Sequence, residues 1–141
     1  MLKQGDNVFY CGTGEGEVDY FAAALRTIQA CGLTPLAYSN TGLEIKKSTL
    51  DREMRDDLYQ SKVLVVLLVK EKDGESIKDN WALPELTHII ASGIRCFFYI
   101  TSEITQEETK ELNLPIEAII VENEKNFETI LKQSLQELLT D

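Results

Sequence analysis

The sequence predicts a single doubly wound α/β domain: a five-stranded parallel sheet covered by helices on both faces. Three observations predict it. Short apolar runs that stop at glycine or polar residues alternate with stretches of three- and four-residue hydrophobic period. One run, "KVLVVLLV" over Lys62 to Val69, has no polar–apolar alternation and so suits a strand buried on both faces. The chain of 141 residues, 43% hydrophobic, suits one domain over 1–141 with one substantial core.

Taken in order, "NVFYCG" (Asn7 to Gly12) is an apolar run ending at glycine, which predicts the first strand. Val18, Phe21, Leu25 and Ile28 follow at helical steps, and Gly32 can end that helix. "LTPLAY" (Leu33 to Tyr38) predicts a second strand, placed at a sheet edge by Pro35. After the loop "SNTGLEIKKS", Leu50, Met54 and Leu58 form one stripe of a helix that Ser48 or Thr49 can cap. Lys62 to Val69 is the third strand. A polar loop, "KEKDGESIKDN", leads into a helix carrying Leu86, Ile89 and Ile90 and stopped by Gly93. "IRCFFYI" (Ile94 to Ile100) is the fourth strand. Thr105 with Glu108 resembles a capping box for a short helix. "EAIIV" (Glu117 to Val121) is the fifth strand. The last helix sets Phe127, Ile130, Leu131, Leu135 and Leu138 on one face. Alternating strands and helices require right-handed crossovers and a parallel sheet. The most hydrophobic run falls third, which fits the flavodoxin-like order 2-1-3-4-5.

The formal net charge of -10 opposes binding to phosphate backbones or anionic lipid, so neither nucleic acid nor membrane is expected as a partner. Cys11, Cys31 and Cys96 form no zinc-type spacing, and they suit buried free thiols in a reducing compartment. "MLKQGDNVFY" has no signal-like apolar stretch, and "VLVVLLV" is too short to span a bilayer. A cytoplasmic protein is the expectation.

Open α/β sheets bind ligands outside the carboxyl ends of their strands, where the strand order reverses. That crevice is expected between strands 1 and 3. Tyr10, Gly12, Thr13 and Gly14 reach it from the first strand and the "GTGEG" turn. Glycines there either make a tight turn or let the backbone approach a ligand. The spacing is not GxGxxG and no Walker lysine follows. Glu15, Glu17 and Asp19 suit a ribose hydroxyl better than a bare phosphate.

"DNWALPELTH" (Asp79 to His88) reaches the crevice from the third strand. Glu85 follows Trp81 by four residues, so both fall on one helix face, and Pro84 belongs in the first turn. Leu83 and Leu86 flank Glu85, and no Lys or Arg lies within four residues. Two readings stand: a first-turn Glu favoured by the helix dipole, or a carboxylate at the rim of a site. His88 is the sole histidine, without a second ligand at metal spacing, so no metal is expected.

This pattern resembles the TIR domain superfamily. Its resemblance lies in the apolar "NVFY" strand, the loop "SNTGLEIKKS", the strand "VLVVLLV", and a helix opening with Trp81 followed after three residues by Glu85-Leu86. It covers residues 7 to about 100 in element order, with identity confined to these short motifs. Enzymatic TIR domains cleave NAD at the nicotinamide–ribose bond with the glutamate of that motif, and by resemblance the role falls to Glu85. Nucleoside 2-deoxyribosyltransferases and deoxynucleoside monophosphate N-hydrolases share the architecture, with a first strand ending much like "VFYCGTGEG". Met54 stands where the hydrolases carry an Asp, and Glu15 where they carry a phosphate-gripping Arg, both contrary to a monophosphate substrate. Pro84 and the lack of a Ser-Asp pair in the first loop differ from the TIR pattern.

The resemblance therefore implies an enzyme cleaving an N-ribosyl bond without a cofactor, NAD being the candidate substrate. Trp81 and Tyr10 would offer ring faces to a base, and Gly12, Thr13 and Gly14 would admit the ribose. The alternatives are a 2-deoxyribosyltransferase or N-hydrolase, and a non-catalytic TIR-like module that signals, senses a nucleotide or assembles. In the last case residues 39–48 correspond to the loop that mediates TIR assembly, and a homo-oligomer is implied.

Overall fold

The computed structural model describes residues 2–13, 17–39, 59–69, 93–101, 104, 106–111 and 117–140. They form strands β1 (Asn7–Thr13), β2 (Thr34–Ser39), β3 (Val63–Leu68), β4 (Arg95–Thr101) and β5 (Ala118–Val121). The described helices are α1 (Glu17–Ala30), α2 (Gln106–Glu111) and α3 (Glu124–Thr140). The strands make one sheet in the order β2-β1-β3-β4-β5, and every pairing is parallel. This is the doubly wound, flavodoxin-like arrangement expected from the alternation of elements. The helices expected around Leu50 to Leu58 and Leu86 to Ile90 lie outside the described residues.

β3 is the middle strand, and all six of its residues are buried. Its two faces serve two layers. Val63, Val65, Leu67 and the following Val69 join Val8, Tyr10, Tyr99 and Val121 in a core with Ala24 and Ile28 of α1 and Phe127, Leu131 and Leu135 of α3. Phe9, Leu64, Val66, Leu68, Phe98 and Ile100 alternate with these along the strands, so they belong to the opposite face, and they are buried as well. A run without polar alternation is what this double burial requires.

The end of α1 shows how local chemistry sets the entry to β2. Gly32 has φ of 78°, its amide donates to Gln29 O at 2.9 Å, and Leu33 N donates to Ile28 O at 3.2 Å. This is a Schellman stop, with Ile28 and Leu33 both in the core. β2 then runs along β1 as an edge strand, where Pro35 is paired in register with Val8.

The face of α1 differs in part from the expected stripe. Among the described side chains its buried residues are Ala23, Ala24, Thr27 and Ile28, the last of them as expected, while Phe21 and Leu25 are half-buried and Phe21 packs against the core. Small buried residues suit α1 where it packs against both the sheet and α3, since alanines leave room for close approach. Thr27 meets the same demand by donating its hydroxyl to Ala23 O at 2.8 Å. α3 follows expectation: Phe127, Leu131 and Leu135 are fully buried, with Ile130 and Leu138 packed at the margin. Its start is held by Asn126 N donating to Asn123 Oδ1 at 2.8 Å.

Candidate functional site

β1 and β3 are direct neighbours, with Gly12 opposite Leu67 and Thr13 opposite Leu68. β2, the next strand in sequence, lies on the far side of β1. The strand order therefore reverses between β1 and β3, and the crevice of an open α/β sheet lies outside their carboxyl ends. Thr13 and Leu68 are the last residues of their strands, so both chain segments leave the sheet at this point.

The expected site residues fall into two groups. Tyr10, Gly12 and Thr13 are on β1, at the strand whose end borders the crevice. Glu85, Trp81 and Gly14 lie outside the described residues.

Within the first group, Tyr10 belongs to the core. Its ring has no exposed surface and packs edge-on against Phe21, with centroids 6.1 Å apart, and at a tilt against Phe127 at 6.4 Å. These contacts bring the ends of α1 and α3 together over β1. Gly12, two residues on, occupies the same face by strand alternation and is buried. A glycine there puts backbone, and no side chain, on the face next to the crevice.

One residue at this edge escapes a reading of the sequence alone. Thr101 closes β4, one residue beyond the end expected for that strand at Ile100. Its main-chain carbonyl accepts from Ile104 N at 3.0 Å. Its side chain is 2% exposed, and Oγ1 has no hydrogen-bond partner among the described residues. A polar residue that ends an otherwise apolar strand, as in "FFYIT", is the signal that could have marked it.

Two open grooves lie away from this edge. One, of about 570 Å³, sits at the amino ends of β4 and β5 and is lined by Gly93, Arg95, Cys96, Phe97, Glu117 and Ile119 among others. Burial pushes the Cys96 thiol up to about 12, so it stays protonated at neutral pH and is a poor nucleophile. The other, of about 300 Å³, lies between α1 and α3, around the surface ion pair of Arg26 with Glu128. No group of potential metal ligands occurs among the described residues. No described helix is long and apolar enough to cross a membrane.

Comparison with protein-family models finds no match, and comparison with curated proteins finds none.

Proposed function

We propose that the chain is a TIR-like domain that cleaves the N-glycosidic bond of NAD at the carboxyl edge of its sheet, with Glu85 as the catalytic carboxylate. The observation that supports this reading is the switch point between β1 and β3 in an all-parallel 2-1-3-4-5 sheet. The sequence assigns its two candidate segments, the glycine turn after β1 and the Trp81–Glu85 motif after β3, to the connections that start there.

The chemistry needs one negative group beside the ribose. The C1′–N bond of NAD breaks with its electron pair passing to the nicotinamide ring nitrogen, whose positive charge is thereby neutralised. The leaving group needs no proton. C1′ becomes oxocarbenium-like, and the Glu85 carboxylate either stabilises that charge or attacks C1′ to give a ribosyl-enzyme. Water then adds to C1′ and gives up a proton, leaving nicotinamide and ADP-ribose. Leu83 and Leu86 beside Glu85 would strengthen the electrostatic effect by keeping water away. Trp81 would supply a ring face for a base, and Gly12, Thr13 and Gly14 the passage for the ribose.

On this reading the protein works in the cytoplasm, its partner is a nucleotide, and self-assembly brings it to full activity. Nicotinamide release from NAD by the concentrated chain, with Glu85→Ala as control, tests the proposal. A chain that releases none but associates alike with and without Glu85 is an assembly module.

A further inference from the structure

β5 is one of the two edges of the sheet, and the two edges differ. β2 carries Pro35, which removes a donor and blunts that edge against further pairing. β5 has no proline. Among the described residues its backbone pairs with β4 alone, from Ala118 opposite Phe98 to Val121 opposite Thr101. An edge strand in this state offers outward N–H and C=O groups to a further strand.

The side chains beside those groups are apolar on both faces of the sheet. Ile119 packs at the margin of the core on the α3 face, and by strand alternation Ile120 lies on the opposite face. Ile120 is 51% exposed, although Ile100, its partner on β4, is 3% exposed. β4 begins at Arg95, three residues before its first pair with β5, so β5 leaves a notch at its amino end. The open groove of about 570 Å³ lies there, with Phe97 and Ile119 in its lining.

Charge decides what can add to this edge. Glu117 stands just before β5, and Glu122 and Glu124 just after it. All three are exposed, and none forms an ion pair among the described residues. Lys125 is the one basic residue over 117–125. A second copy of β5 paired antiparallel would set Glu122 opposite Glu117 at both ends, and a parallel pairing in register would set each glutamate opposite itself. Each copy also carries a formal net charge of -10, which opposes the approach.

We propose that β5 docks an extended segment of another protein by strand addition, the segment being apolar in its middle with a Lys or Arg at each end. One set of its alternating side chains enters the groove beside Ile119 and Phe97, and the other covers Ile120. Five residue steps separate Glu117 from Glu122, about 17 Å at the rise of a strand, so the two basic residues stand five positions apart. That odd spacing puts them on opposite faces of the added strand, as it does the two glutamates, whichever way the segment runs.

The probe is a capped hexapeptide, Lys-Val-Thr-Val-Thr-Lys, titrated into the isotope-labelled full chain and followed by amide NMR shifts. Shifts should centre on Ala118 to Val121 and approach saturation at about 1 mM peptide, the affinity of a short, weak contact. The same peptide with Glu at both ends should bind at least about tenfold more weakly. Of two peptides methylated at alternate sets of backbone nitrogens, one should bind at least about tenfold more weakly than the other, because a strand turns every second N–H to the edge. Ile120→Lys, at an exposed position, should keep the spectrum of the folded chain and weaken binding by a similar factor. No shift at β5, equal binding of Lys-ended and Glu-ended peptides, equal binding of the two methylated peptides, or full binding by folded Ile120→Lys overturns the proposal. Shifts at β5 that grow with the chain's own concentration, with a dimer in sedimentation, assign the edge to a second copy and overturn it as well.

Discussion

The Tyr99 hydroxyl donates a 3.2 Å hydrogen bond to Ser134 Oγ, tying the middle of β4 to the penultimate turns of α3. Ser134 passes the bond on to Ile130 O at 3.0 Å. The ring of Tyr99 meets Phe127 edge-on at 5.3 Å, so this contact joins an aromatic cluster to a short polar chain inside the core.

Burial pushes the Tyr99 phenol up to about 12 from 10.0, with Ser134 partly offsetting the effect and Cys96 adding to it. The folded chain thus holds this proton more tightly than the unfolded one. The stabilisation is complete below about pH 10 and is lost as pH rises towards 12. Stability should fall in this window by about 1.4 kcal/mol per pH unit from this one group. Tyr99→Phe should cost about 1 kcal/mol at pH 7 and flatten the decline between pH 10 and 12. Denaturant titrations of both proteins across that range check it.

Phe127 touches the rings of Tyr10, Tyr20 and Tyr99 and is fully buried. Phe127→Ala should therefore destabilise by about 3–5 kcal/mol, the range for truncating a core aromatic. A shift in urea midpoint measures it. A loss below about 1 kcal/mol would mean that α3 does not hold the sheet in this way.

Gly32 and Gly93 separate two costs of a side chain. Both have positive φ, 78° and 97°. A Cβ at Gly93 meets nothing within 4 Å, so Gly93→Ala should cost only the backbone term of about 1–2 kcal/mol. A Cβ at Gly32 would collide with the side chain of Gln4, whose Nε2 donates to Cys31 O at 3.3 Å. Gly32→Ala should cost the same backbone term plus that hydrogen bond, and its melting temperature should be the lower of the two.

Most of the sheet is legible in the sequence because its signals are local. An unbroken apolar run marks β3, and Gly32 and Pro35 mark a helix stop and an edge strand. The face of α1 is less legible. Periodicity picks out Ile28, which is fully buried, together with Phe21 and Leu25, which are half-buried, and it misses the buried Ala23, Ala24 and Thr27, which hydropathy ranks low. Tyr10 shows the same limit at the candidate site. A tyrosine near a strand end suits either a ligand face or a core, and only packing against Phe21 and Phe127 identifies its ring as a core group. The unsatisfied state of Thr101 is a property of three-dimensional surroundings, and composition gives no sign of it.

Nicotinamide release from NAD by concentrated wild-type chain, beside Glu85→Ala, bears most directly on the catalytic role of Glu85. Both proteins should fold alike, since a carboxylate at the helix start that the sequence predicts for Glu85 would contribute only about 0.3–1 kcal/mol through the dipole. The wild type should release nicotinamide, and the variant should do so about 100- to 1,000-fold more slowly, having lost the partner of the oxocarbenium charge. Equal rates for the two, or release by neither at concentrations where the chain self-associates, would contradict the assignment of Glu85 as the catalytic group.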